Sequence, residues 1–123
     1  MGANGSKSSG YLEKDEYRLW KTFCTLNSGI KVIERKDPKI SVKLPEESHS
    51  PNSIYAIFRR DGNDVKAIAK YDGDCRKVWE IHTAEHENLH EHYHVWKHGC
   101  PTGQPKPLTE ELRGILNLVR NFN

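Results

Sequence analysis

The alternation of apolar and polar residues predicts β-strands over much of the chain. Two apolar runs, residues 17–26 and 30–33, flank residues 27–29, a short turn that contains a glycine. Strand-like runs joined by such a turn are typical of a β-hairpin. An amphipathic helix over residues 13–24 is the alternative interpretation of the first run.

Three further runs predict an antiparallel meander. Residues 54–60 and 65–71 are strand-like, and they are joined by residues 61–64, whose Asp, Gly and Asn tolerate positive φ. Residues 72–74 then turn the chain into a third run at residues 77–82. Because two strands alone are marginal in water, we expect these three to belong to a larger sheet.

Prolines predict where regular structure stops. Residues 37–51 contain three prolines and read as a loop, with a short strand at residues 40–44 inside it. Residues 101–107 contain three more and are expected to break the chain again.

The C-terminal segment shows helical periodicity. Thr109 is a plausible N-cap, and Glu110 and Glu111 follow it where the positive end of a helix favours acidic side chains. The apolar stripe consists of Leu112, Ile115, Leu116, Val119 and Phe122. The sequence therefore predicts an α+β fold: a mostly antiparallel sheet of about five strands, hairpin plus meander, with one C-terminal amphipathic helix packed on it.

Length and charge narrow the picture. The chain has 123 residues, which fits a Gly/Ser-rich leader at residues 1–10 and a single domain at residues 11–123. A net charge of +2, without a long block of like charge, permits nucleic-acid binding but does not indicate it. No apolar run approaches the roughly 18 residues of a membrane span, and no signal-peptide core is present. An odd number of cysteines fits a reducing compartment.

Histidine is concentrated in one segment. Six of the seven histidines lie between His82 and His98, and neutral imidazole is both the commonest metal ligand and a proton carrier near pH 7. As a strand, the segment would place His90, His92 and His94 on one side. As a helix, it would align histidines spaced four apart. The aromatic and β-branched residues 93–96 favour a strand there.

The first chemical interpretation of this segment is a divalent metal site, with zinc as the first choice. An open coordination position would support hydrolysis, whereas a closed one would only staple a small core. The candidate ligands are His86, His90, His92, His94 and His98.

The second interpretation is a zinc peptidase. His86, Glu87 and His90 match the H-E-x-x-H pattern, in which a helix brings both histidines to one zinc ion and the glutamate activates water. A segment this rich in His and Glu produces the pattern readily by chance, so the match has little weight.

The third interpretation needs no cofactor. Two histidines would act as general base and general acid in cleaving RNA through its own 2′-hydroxyl, while basic side chains stabilise the charge on phosphorus. The candidate catalytic residues are His82, His90, His92, His94, Arg76 and Lys77. The competing interpretation is a solvated His/Glu-rich surface, which suits any single histidine better than it suits six together.

The order of segments also resembles a known group of domains. Its features are the Gly/Ser leader, the hairpin ending at residues 29–32, the strands through residues 67–72, the histidine run with His98-Gly99, and a helix beginning at residues 108–111. In that order they resemble the small C-terminal domain of minor capsid and head-morphogenesis proteins from phages and prophages of Gram-positive bacteria. Trp96 and Lys97 before the last histidine depart from that group, and H-E-x-x-H is not expected in it.

The resemblance implies a toxin-like effector, because related positions in such phage proteins hold domains predicted to be ribonucleases. Together with the histidine segment, it predicts a nuclease that acts on RNA or DNA and uses histidines as metal ligands or as general acid and base. It implies a nucleic acid, or a phage or host protein, as partner, without a membrane. The location would be the bacterial cytoplasm or the phage particle. The alternative that it leaves open is a non-enzymatic module, stapled by metal or binding a partner protein.

Overall fold

The computed structural model describes residues 19–36, 43–60, 62–84 and 90–122. Within these ranges, seven strands form one sheet, and a helix follows the last strand. The elements are β1 (Trp20–Thr25), β2 (Lys31–Arg35), β3 (Ile54–Phe58), β4 (Val65–Tyr71), β5 (Lys77–His82), β6 (His92–Lys97), β7 (Cys100–Pro107) and α1 (Glu110–Arg120).

The strands lie side by side in chain order. All neighbours are antiparallel except β2 and β3, which pair in parallel. The predicted α+β fold, the first hairpin and the meander are therefore confirmed, but the sheet has more strands than the expected five. The helix alternative is wrong for residues 20–24, which belong to β1; residues 13–18 lie outside the described residues.

Helix α1 covers one face of the sheet, here called the helix face. The Leu112 backbone N–H donates to Thr109 Oγ1 over 3.2 Å, so the predicted N-cap is confirmed. The buried side chains of the helix and of this face are Ile30, Val32, Ala56, Val65, Ile68, Ile81, Leu112, Leu116 and Val119. The apolar face of the helix, predicted from its 3.6-residue periodicity, thus packs against every second residue of the central strands.

The opposite face is covered at its centre by the segment that connects β2 to β3. A parallel pair needs such a crossover connection. Leu44 is buried against this face, and the Tyr71 hydroxyl donates to the Pro45 carbonyl over 2.6 Å. Tyr71 also packs against Tyr55, with ring centroids 5.1 Å apart. Residues 43–44 are not part of a strand, and residues 40–42 of the expected short strand lie outside the described residues.

Two expectations about the C-terminal third differ from the structure. The helical alternative is wrong for residues 92–97, which form β6. Residues 101–107 were expected to break the chain, yet they belong to β7, at the end of the strand order. An edge strand tolerates proline because half of its N–H groups have no strand beside them to bond.

Among the described residues, no helix combines the length and the apolar character that crossing a bilayer requires.

Candidate functional site: three histidines beside a buried ion pair

The register between β5 and β6 brings three histidines together. His82 lies opposite His92, and Glu80 lies opposite His94. Cross-strand partners share a face, and so do residues two apart on a strand, so all four side chains lie on the face opposite α1. We refer to His82, His92 and His94 as the histidine group.

The three imidazole rings contact one another. His82 and His92 stack with centroids 5.7 Å apart and planes 8° from parallel. His94 meets both rings edge-on, with centroids 5.7 Å from His82 and 5.2 Å from His92. His92 is only 2% exposed, whereas the His82 side chain is 40% exposed and His94 is half-buried. Two of the three rings can therefore reach a ligand from solvent.

A buried ion pair supports the histidine group. Lys77 Nζ donates to Glu80 Oε1 over 2.9 Å, and these side chains are only 4% and 6% exposed. The second carboxylate oxygen, Glu80 Oε2, lies 3.5 Å from His82 Nε2. The Lys77 ammonium also lies 4.4 Å from the centroid of the Trp96 ring, a cation–π contact. The carboxylate thus holds a lysine on one side and orients a histidine on the other.

Glu80 is ionised at neutral pH. Burial raises the pKa of its carboxyl, but the hydrogen bond with His82 and the charge of Lys77 together outweigh burial, so the pKa lies below its ordinary value. A fixed negative charge beside His82 is the arrangement that orients an imidazole for proton transfer.

Helix α1 holds the residue that precedes β6. Glu91 accepts hydrogen bonds from Arg113 Nη1 over 2.9 Å and from Arg120 Nη2 over 2.7 Å. Arg120 also binds Asp64, in the connection before β4, through two hydrogen bonds of 2.9 and 3.0 Å. Burial raises the pKa of the Glu91 carboxyl, but the two arginines lower it by more, so the pKa lies below its ordinary value. The helix therefore joins the start of β4 to the start of β6, next to His92.

The structure gathers some of the predicted site residues and leaves others apart. His82, His92 and His94 form the group, and Lys77 lies beneath it, paired with Glu80. That buried pairing occupies the Lys77 ammonium, which the third interpretation had assigned to a phosphate. Lys77 therefore acts on the group through Glu80.

Three other predicted residues are not part of the ring contacts that define the group. Arg76 is exposed at the opposite end of β5, six residues from His82, which is about 20 Å along an extended strand. His90 is exposed and precedes β6. His98 has a φ of 53°, and Gly99 follows it with a φ of 80°, so together they form the two-residue turn between β6 and β7.

The metal and peptidase interpretations gain nothing from the described side chains. Among residues 19–36, 43–60, 62–84 and 90–122, no group of three or more His, Cys, Asp or Glu could hold a metal ion. His86 and Glu87 lie outside the described residues, so both interpretations stay predictions.

Sequence reasoning missed Glu80 as a member of the site. The signal was present, because Glu80 and His82 are two residues apart on a predicted strand and so share a face. What hid it was the surrounding abundance of Glu and His between residues 80 and 94.

The chain matches no protein-family model, no curated protein and no solved structure. The likeness to phage capsid-associated domains therefore stays a prediction.

Proposed function

We propose that this chain is a ribonuclease of the toxin-like effector kind, which cleaves RNA by histidine acid–base catalysis without a metal. His82 is the general base and His94 the general acid. His92, buried beneath both rings, is a positioning residue. The observation that carries the proposal is the half-exposed His82 ring, held by an ionised buried carboxylate and in contact with a second accessible imidazole.

The chemistry needs a nucleophile within the substrate, and RNA supplies it. His82 accepts the proton of the 2′-hydroxyl while O2′ attacks the adjacent phosphorus. His94 donates a proton to the departing 5′-oxygen as the P–O5′ bond breaks. The products are a 2′,3′-cyclic phosphate and a free 5′-hydroxyl. Glu80 stabilises the imidazolium that forms on His82, as a carboxylate does for a catalytic histidine.

The test is cleavage of a fluorescent RNA oligonucleotide in the presence of a chelator. Removing a general acid or base typically costs about 10²–10⁴-fold in rate, so we expect losses of this size for His82→Ala and His94→Ala. The matched control is His98→Asn, because it removes a histidine from the same segment and Asn tolerates the positive φ of that turn. Its activity should stay within about twofold of the wild type.

Other outcomes overturn the proposal. A chelator that abolishes cleavage would assign the reaction to a metal. Equal activity of the wild type, His82→Ala and His94→Ala would place the reaction elsewhere on the molecule. Cleavage of an RNA whose 2′-hydroxyls are methylated would exclude the internal nucleophile.

A further inference from the structure

A cleft opens where β2 and β3 separate. The parallel pairing of these strands covers two register positions, ending at Val32 opposite Ala56, and the following residues of both strands diverge. The resulting cavity has a volume of about 310 Å³. That volume is at the lower end of the range for small-molecule sites, which suits a ligand of a single nucleotide's size. The cavity opens between the ends of both strands, not over a flat sheet face.

The cleft combines exposed aromatic surface with arginines. Phe23, on the bulge of β1, is 60% exposed, and Phe58 and Phe122 pack together with ring centroids 5.5 Å apart. Arg35, Arg59 and Arg60 also line the cavity.

The charge of the cleft is positive. Among the described residues that line the cleft, Glu34 is the one acidic residue, and it lies 3.4 Å from Lys21 Nζ. Arg35 stacks on Trp20, with its guanidinium 5.5 Å from the ring centroid, and its Nε is buried without a hydrogen-bond partner among the described residues. Arginines beside an exposed aromatic ring bind an anion attached to a flat ring.

The cleft and the histidine group lie at the same end of the sheet. Arg59 Nη2 donates to Thr83 Oγ1 over 2.8 Å, and Thr83 follows His82 directly. Arg35 is cross-strand partner to the buried Trp20, whose side chain belongs to the cluster on the face opposite α1, the face that carries the histidines. Strands are spaced about 4.8 Å apart, so the three intervals from β2 to β5 amount to about 14 Å. A few nucleotides of extended RNA can cover that distance.

We propose that this cleft binds one nucleotide of single-stranded RNA outside the cleaved bond. The base packs on Phe23, and the phosphate binds Arg35 and Arg59. This inference rests on the proposed function, because the strand that fills the cleft is the one whose bond lies at the histidine group. Stacking on an aromatic ring is tolerant of base identity, so the cleft adds affinity without sequence preference.

The binding test uses an RNA that cannot be cleaved. The probe is a fluorescein-labelled oligonucleotide with methylated 2′-hydroxyls, followed by fluorescence anisotropy. Phe23→Ala should weaken binding by about fivefold or more, the effect of losing one stacked base. Arg35→Gln should weaken it similarly and flatten its salt dependence. The control is Lys70→Gln, which removes one exposed positive charge at the opposite end of β4 and should change affinity less than twofold.

The outcomes separate this proposal from the function on which it rests. If Phe23→Ala and Arg35→Gln bind like Lys70→Gln, the cleft proposal is overturned even where cleavage continues. If the probe binds through the cleft but no RNA is cleaved, the ribonuclease proposal falls and the nucleotide site stands. Phe23 is mostly exposed, so its variant tests the cleft even where Arg35→Gln unfolds. If the probe is displaced from the cleft only by a second copy of the chain, the cleft is a self-association surface and the nucleotide proposal is overturned.

Discussion

A lysine and a glutamate at the sheet interior decide the character of the site. The side chains of Lys77 and Glu80 are nearly inaccessible to solvent. Removing either one leaves the charge of its partner buried and uncompensated. Glu80 in turn touches His82, the residue we assign as base. Stability and proton transfer therefore share one carboxylate.

This pair yields a double-mutant prediction. We expect Lys77→Met to lower the free energy of unfolding by about 3–5 kcal/mol, because it leaves the Glu80 charge buried. The double variant Lys77→Met, Glu80→Gln should recover most of that loss, since neutral side chains of similar size replace both charges. Urea denaturation of both variants checks this. A double variant less stable than the single one would show that the pair is not coupled.

At the level of elements, α1 fixes the position of the β6 strand. Arg120 joins Asp64 and Glu91, which are far apart in sequence. The hydrogen bond with Asp64 is the main cause that raises the pKa of Arg120; burial opposes it, and the hydrogen bond with Glu91 raises the pKa further. Among the described side chains, Arg113 binds Glu91 alone. The helix thus acts on the histidine group through the residue that precedes His92.

We predict that Arg120→Gln loosens β6 more than Arg113→Gln does. Hydrogen bonds between charged groups contribute roughly 1.5–3 kcal/mol, and Arg120 makes several of them. The measurement is hydrogen exchange of the backbone amides of residues 92–97. Faster exchange in Arg120→Gln, together with slower RNA cleavage, is expected. Equal exchange in the two variants would contradict the role of Arg120.

At the scale of the whole molecule, three paired carboxyls contribute to the response to acid pH. The carboxyls of Asp64, Glu80 and Glu91 all have a pKa below the ordinary value; for Asp64 the hydrogen bond from Arg120 is the main cause. At pH values between the lowered folded pKa values and the unfolded pKa of about 4, the unfolded chain binds more protons than the folded one. The stability that these groups provide is therefore complete above about pH 5.5, roughly one unit above the unfolded pKa values, and is lost as the pH falls through their folded pKa values.

A variant isolates one of these contributions. Glu91→Gln cannot ionise, so its free energy of unfolding should fall less between pH 5 and pH 3, as a rough interval, than that of the wild type. Urea denaturation at several pH values measures the difference. Parallel curves for the two proteins would show that Glu91 has the same pKa in both states.

The fold was largely readable from local patterns. The hairpin, the meander and the capped helix each follow from turn residues or periodicity within a short window, as Gly29 at φ 93° and Thr109 at the N-cap show. β7 was missed because its prolines exclude a central strand but not an edge strand.

The histidine group was readable only in part. Strand character at residues 93–96 places His92 and His94 on one face, but nothing local sets the register against β5. That register depends on tertiary contacts, namely the burial of His92 and the anchoring of Glu91 by α1. For the same reason, the sequence pattern did not separate His98, a turn residue, from the histidines that meet.

The prolines of β7 affect more than its own assignment. Pro101, Pro105 and Pro107 supply no N–H, and an edge strand tolerates proline where its nitrogen faces away from the neighbouring strand. A strand from another chain that approached the outer edge of β7 would present carbonyls that these prolines cannot donate to. This edge therefore resists templated growth into fibrils, a protection that a sheet of seven strands needs most while it is being assembled.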